Sequence, residues 1–476
     1  MLKELWTMAD TIVIVLYFIL VLGVGFRMHK RASTSFKSFF VAGRKLTIPV
    51  MIGVACAGWY DSWSIVGMAE NGATVGISIF FMWLIPSTVF RLPLALWIGP
   101  LARTVFPDHV LTLPDMIEYF YDKRSKVFAC FVVSVIVLYS AALLFAAGDI
   151  LRMATDINPY LGMVIAGAVV LAYTALAGLW GLAVTDMIQF VVMTVSAGVL
   201  LIGIMQSFDG LPALWSQVDA IDPALTHPIG HNSALVFLAW IVSSASLYVS
   251  AQSYQRFGAA KSGADIKVSY PLMMLIGLCY CTVFVIAGMA ARVEYPDFTP
   301  SEGFWLIVFD SLAPGFRGLF IAAFCAAIMS SVSADWLVAS TALYHDFWLT
   351  YIRPNLGGET SIKGIRRVLV CLAIFSTIGT YFWSDGIANA WFYVGGFQVG
   401  IMMIPLIMGF FYKKKTATGS FVALIIGAVT YATWNFVLSE PFGAPSHLVT
   451  WCVSLVVYLI ACNITYNREH AKKLNA

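Results

Sequence analysis

The sequence predicts an all-α polytopic membrane protein with about 13 transmembrane helices, and three observations predict it. Of its 476 residues, 60% are hydrophobic and only 11% charged, with a mean hydropathy of +0.85; soluble domains carry roughly 25% charge. Apolar runs recur from end to end, each with the roughly 20 residues that a helix needs to cross about 30 Å of hydrocarbon. The basic residues gather in alternate loops, as insertion into a bilayer arranges them.

The runs lie near 9–27, 47–75, 77–104, 127–151, 160–178, 182–205, 233–252, 270–291, 316–344, 366–383, 388–411, 418–437 and 447–465. The first lacks a small-residue cleavage site and a following soluble domain, so it reads as a membrane helix and not as a cleaved signal peptide. With the N-terminus outside, thirteen spans place the loops at 27–45, 103–126, 255–267, 346–367 and 412–415 and the C-terminal tail in the cytoplasm. Those segments hold 23 of the 28 Lys and Arg residues. The opposite loops hold Lys3, Arg152, Arg292 and Arg317, and the loop at 206–231 carries Asp209, Asp219 and Asp222 without a basic residue. The expected location is therefore a cell inner membrane, with a periplasmic N-terminus. The net charge of +3 requires no nucleic-acid partner, because insertion physics already accounts for where the basic residues sit.

All eight cysteines (Cys56, Cys130, Cys279, Cys281, Cys325, Cys371, Cys452 and Cys462) fall inside apolar runs, and the seven histidines lie in loops or at helix ends. Neither a disulfide framework nor zinc-ligand spacing results, and buried cysteine reads as small apolar filler. The longest polar segments are about two dozen residues, so one integral domain accounts for the chain. No nucleophile and base pair marks an enzyme, and no hydrophilic module marks a sensor.

The run ACAGWYDSWSIVG, Ala55 to Gly67, places Asp61 where the bilayer interior is expected. A carboxylate there costs at least ~3 kcal/mol on insertion scales and calls for a reason. Gly53, Gly58, Ser62 and Ser64 surround it, and five helices later the span 233–252 carries Ser243, Ser244 and Ser246. Two polar-interrupted helices at equivalent places in two halves are what an inverted-repeat transporter contains. Serines that bond back to the preceding turn give the same composition without a break. In AAIMSSVSADW, Ala327, Ser330, Ser331 and Ala334 share one helix face, with two hydroxyls at one level. Neutral oxygens of this kind can replace the hydration shell of a monovalent cation; small residues that let two helices approach closely are the competing explanation.

Five stretches, FFVAGRKL (39–46), TLPDMIEYF (112–120), YTALAGLWGLAVTDMIQ (173–189), AQSYQRFGAAKSGAD (251–265) and AAIMSSVSADWLVASTALYHD (326–346), resemble in order and spacing the motifs of the sodium:solute symporter family, which is the solute carrier family 5 type. The resemblance covers residues 10 to 465. It implies two inverted five-helix repeats, 47–205 and 233–411, as in the leucine-transporter core. The flanking helices would be 9–27 and 418–465. The implied activity is inward symport of a small organic solute with Na+ by alternating access, with no other cofactor.

Carried over residue by residue, the main sodium site comprises the carbonyls of Trp59, Ser62 and Ala327 and the hydroxyls of Ser330 and Ser331. Asp61 lies near it, either lowering the potential for the ion, or protonated, or paired with a donor such as Arg91. A second sodium site, found in some members, maps to Asp186, Ser330 and Ser333. There Ala334 departs from the expected hydroxyl, and Asp335 is the candidate replacement. The solute site maps to Trp63, Tyr139, Ser140, Trp240, Ser243, Ser244, Trp391 and Gln398. Tyr139 with Ser140, and Trp240, are similar to positions in bacterial sodium/proline symporters, whereas Trp63 is larger than that subgroup's residue. Few amide or charged side chains are seen in the spans to satisfy a sugar, so a small amino acid such as proline, or a small carboxylate, is expected; a sugar or other organic solute is the alternative.

Overall fold

The computed structural model describes residues 2–32, 35–155, 158–354, 359–380 and 386–474. Among them the secondary structure is helical throughout, apart from one isolated bridge joining Leu46 to Ala260. Numbering the membrane helices alone, these are α1 (Met8–Ala32), α2 (Ile48–Ala57), α3 (Met68–Thr74), α4 (Phe80–Thr104), α5 (Lys123–Ser134), α6 (Ile136–Thr155), α7 (Pro159–Ser207), α8 (Ala234–Ser243), α9 (Ala251–Ala259), α10 (Gly263–Glu294), α11 (Phe316–Thr341), α12 (Glu359–Gly379), α13 (Gly386–Phe411), α14 (Ala417–Ala432) and α15 (Ser446–Leu474).

Among the described residues, nine spans are uninterrupted and apolar enough to cross a bilayer by themselves. The remaining passes are shorter or broken. The pass at 47–75 splits into α2 and α3, and the pass that starts at 234 splits into α8 and α9. The runs at 160–178 and 182–205 form two limbs of α7 with no loop between them. The bend falls at Gly178, whose φ of +53° suits glycine and whose missing side chain leaves room for the ring and carbonyl of Phe39.

Every residue of α11 from Phe320 to Thr341 is buried, against α7, α6, α1 and α12. The double-serine helix is thus the bundle's centre. Periphery falls to helices such as α1 and α15, whose Ile12, Leu16 and Ile19, and Val456, Ile460 and Ile464, are exposed as lipid-facing rows should be. Small residues bring α3 and α10 into backbone contact: a side chain on Gly72 would meet the Val285 carbonyl, and one on Gly288 the Ala69 carbonyl.

The motif loops tie together at one end. Leu46 N–H donates to the Ala259 carbonyl at 3.1 Å, and the Gln255 amide donates to the Phe40 carbonyl at 2.8 Å. Arg44 and Lys37 hold Asp108 at 2.8 and 3.1 Å, while Arg103 donates to the carbonyls of Ala260 and Lys261. Short helices fill several of the segments expected as loops, including 113–120, 211–221 and 300–311. In the first, Thr112 and Asp115 form a reciprocal cap, and Lys126 grips Asp115 and Glu118, each at 2.8 Å.

Candidate functional site

Chain geometry at the break explains Asp61. Helix α2 ends where Gly58 caps it, and Trp59 and Tyr60 both donate N–H to the Cys56 carbonyl. The helical path resumes at Trp63 as a π-turn. At that resumption Asp61 Oδ1 accepts the Ser64 N–H at 2.9 Å and the Ser64 hydroxyl at 3.0 Å, which is how a carboxylate caps a helix start. Its second oxygen accepts the Tyr139 hydroxyl at 2.6 Å. Arg91 is therefore not the partner of Asp61; its guanidinium carbon stands 3.8 Å over the Trp59 ring.

The double-serine helix lies against this break. Ser330 donates to the Ala57 carbonyl at 2.8 Å, across to the end of α2, and to Ala327 at 3.0 Å within its own helix. The Ser331 hydroxyl is buried without a hydrogen-bond partner, as is that of Ser62. The Trp59 carbonyl receives the Ser64 hydroxyl at 2.7 Å. The break and α11 are thus joined through Ser330, one turn beyond Ala327, with Trp59 and Ser62 in the break and Ser331 next to Ser330 on the helix.

Beside them opens a cavity with an empty volume of about 1210 Å³, its open part included. Trp59, Asp61, Trp63, Tyr139, Ser331 and Gln398 all line it. Trp63 stacks on Trp83 with ring centres 5.2 Å apart, and Trp240 meets the edge of Trp63 at 6.2 Å as backing. Ser244 lines the cavity, and both Ser243 and Ser244 donate back to the Trp240 carbonyl, at 2.7 and 3.3 Å. The Gln398 amide donates to the carbonyls of Val132 and Val133, each at 3.1 Å, which open where α5 gives way to α6. The Trp391 side chain lies outside the described residues.

Asp335 stands on this cavity and not with Asp186. Two residues beyond Ser333 is about 200° around a helix, so the two side chains point apart. Asp335 accepts the Ser140 hydroxyl at 3.1 Å and a short bond from the Gln252 amide. Asp186 keeps one buried oxygen without a partner. Between it and α11 stands Tyr173, which donates to the Met329 carbonyl at 2.7 Å and also lies beside Ser333; Ser333 in turn donates to the Ser330 carbonyl at 3.0 Å.

Sequence reasoning missed Trp83, Gln252 and Arg256, and gave Arg91 no part in the cavity that it lines. The signals were present: Arg91 is a charge in the middle of an apolar run, and Gln252 and Arg256 belong to a stretch already singled out as a motif. The cavity is also more polar than the spans implied. Its amides are largely committed, however, Gln252 to Asp335 and Gln398 to the backbone.

Comparison with known proteins adds an independent finding. The family model described as the sodium:solute symporter family matches residues 39–427. The chain is 25% identical to the sodium/pantothenate symporter of Escherichia coli (strain K12), over 94% of this chain and 95% of the relative. It is 24% identical to the osmoregulated proline transporter of Bacillus subtilis (strain 168), over 94% of each, and 22% identical to a sodium/proline symporter of Staphylococcus aureus (strain JH9), over 95% and 92%. In fold it is similar to the substrate-bound, outward-open structure of a Na+-coupled sialic acid symporter, with a TM-score of 0.84 at 19% identity over 97% of this chain and 98% of that one. With the family model covering most of its length and the broken helices of a symporter at its centre, this multi-pass membrane chain belongs to the sodium:solute symporter family.

Proposed function

We propose that the protein imports a small organic solute, an amino acid such as proline or a small carboxylate, together with Na+ by alternating access. One observation carries this reading. Ser330 pins α11 to the helix break, while its neighbour Ser331 presents a buried, unpartnered hydroxyl to the cavity that also holds Asp61. A buried hydroxyl without a partner costs about 1 to 3 kcal/mol, so it is kept where something else binds it. A dehydrated cation at Trp59, Ser62, Ala327, Ser330 and Ser331 supplies that partner, and Asp61 lowers the potential beside it.

The two repeats map to 47–205 and 233–411, each beginning with a broken helix. The basic loops face the cytoplasm, which puts the N-terminus outside a bacterial inner membrane. A second ion would take the orphaned oxygen of Asp186, with Ser330 and Ser333 reaching it once the Tyr173 ring between them moves aside, and without Asp335. One sodium moving down ~100 mV releases ~2.3 kcal/mol, and a tenfold gradient adds ~1.4. Together these sustain a several-hundredfold accumulation of a solute without net charge, such as zwitterionic proline, which a second ion would square; a carboxylate anion carried with one sodium moves no net charge, and the gradient alone sustains about tenfold.

Uptake of labelled proline and small carboxylates into proteoliposomes, with and without an inward sodium gradient, tests the reading. Gradient-driven accumulation that collapses in Asp61→Ala is expected. Accumulation of a solute independent of sodium rejects the coupling, and an unchanged charge-to-solute ratio in Asp186→Asn removes the second ion.

A further inference from the structure

Arg91 has no partner of its own, although it is only 3% exposed and lines the cavity at mid-helix in α4. Among the described residues no carboxylate lies within 4.0 Å of its guanidinium, and its Nη1 is buried without a hydrogen bond. Burying an unpaired charge is among the most unfavourable arrangements available to a folded chain.

The other charges of the cavity are already engaged. Asp61 accepts Tyr139 and Ser64, and Asp335 accepts Ser140 and Gln252. Arg256 packs against Gly58, where its positive charge faces the C-terminal end of α2 and its partial negative charge. Among the described residues Arg91 has neither a hydrogen bond nor an ion pair and rests on the face of Trp59, with the Asp61 charge acting on it only at a distance. That ring is itself seated, since a side chain at Gly277 would overlap it. The guanidinium is therefore held from one side, with a solute cavity on another.

We propose that Arg91 is the anchor for the carboxylate of the transported solute, so that the cavity selects organic acids and rejects their neutral counterparts. This assignment rests on the symport reading above and specifies its solute class. A guanidinium presents parallel N–H donors that match a carboxylate's two oxygens, which an amide or a hydroxyl does not. The apolar remainder of the solute then lies toward the stacked rings of Trp63 and Trp83 and toward Tyr139.

The test is ligand binding by the purified full-length protein, read as the rise in melting temperature with ligand concentration in sodium buffer. The probes are acid and amide pairs: proline with prolinamide, cyclopentanecarboxylate with cyclopentanecarboxamide, and lactate with lactamide. In the wild type at least one acid binds tenfold or more tightly than its amide. Arg91→Gln loses that preference, while Arg91→Lys, a point charge without the fork, keeps part of it. The rise produced by sodium alone persists in both variants and shows that they remain folded with the ion site intact. An amide that binds as well as its acid, an acid preference undiminished in Arg91→Gln, or no binding by any of the acids overturns the assignment. Absence of a sodium effect in the wild type would instead count against the symport reading, leaving the acid preference to decide the role of Arg91.

Discussion

Neighbouring serines on one helix should fail in different ways. Ser330 spends its hydroxyl on the protein, donating at 2.8 Å to the Ala57 carbonyl across the helix break. Replacing it with alanine removes an interhelical hydrogen bond of the kind that contributes about 0.6 to 2 kcal/mol in membrane proteins, and Ser330→Ala should lower the melting temperature even without sodium. The Ser331 hydroxyl has no protein partner to lose. Ser331→Ala should therefore leave the sodium-free melting temperature unchanged or slightly raised, because a buried orphan disappears. If that oxygen binds the cation, its loss resembles the loss of a hydrogen bond to a charged group, about 1.5 to 3 kcal/mol. At 1.4 kcal/mol per decade this becomes roughly a 10- to 150-fold rise in the sodium concentration for half-saturation. Titrating sodium against melting temperature, and separately against the initial rate of uptake in proteoliposomes, measures it. A sodium half-saturation within twofold of wild type in Ser331→Ala, in protein of unaltered stability, would refute the placement of the ion.

Other outcomes follow from the same geometry. Tyr139→Phe removes the 2.6 Å donor to Asp61 without changing the ring that lines the cavity; a bond to a carboxylate is worth about 1.5 to 3 kcal/mol, so uptake kinetics should show at least a tenfold loss in affinity for solute or sodium. Gly288→Ala would drive a methyl group into the Ala69 backbone carbonyl, which cannot swing aside, and overpacking of this kind costs about 1 to 3 kcal/mol, visible as a lower melting temperature. In the buried pair that joins the 113–120 helix to α5, burial would push the Asp115 carboxyl up, but Lys126 at 2.8 Å, with His345 and the Leu111 N–H, more than offsets this and holds it below its ordinary 3.8. A depressed carboxylate contributes stability that is fully present above that ordinary value and is lost as pH falls below it. Melting temperature should thus fall below about pH 4 in the wild type; Lys126→Met alone, which strands the carboxylate, should cost about 3 to 5 kcal/mol, and Asp115→Leu with Lys126→Met should recover most of it.

How much was legible in the sequence varied with the physics of each residue. A carboxylate in an apolar run is costly enough that Asp61 had to mark something special, and the break lies where it pointed. The second break was harder. Serines tolerate a helix by bonding back to it, as Ser243 does to Trp240, so Ser243 and Ser244 announced a weak point some six residues before the turn at Ser250. Gly178 concealed the bend of α7 because one glycine in an apolar run does not declare its φ. Asp335 stood in the sequence beside Ala334, whose missing hydroxyl it was expected to replace, and helical rotation carries it to another face. The polar lining of the cavity was harder to read for a similar reason: Arg91 comes from α4 and Gln252 and Arg256 from α9, and one sequence does not disclose which of its buried polar groups converge.

Trp59 shows why ion and solute should be coupled at this site and not merely adjacent. Its carbonyl belongs to the uncoiled turn where the cation is placed, and it already takes the Ser64 hydroxyl that also touches Asp61. Its ring carries Arg91, where the solute acid is placed. Tyr139 closes the circuit by lining the cavity and donating to Asp61. A cation that fixes the turn therefore fixes the ring and the cation standing on it, and it also adds positive charge to a cavity that then favours an anion. Such coupling is reciprocal in free energy: the factor by which sodium raises solute affinity must equal the factor by which solute raises sodium affinity. With ion and solute at the proposed positions, the uncoiling that leaves α2 short of a membrane crossing lets two ligands share one residue.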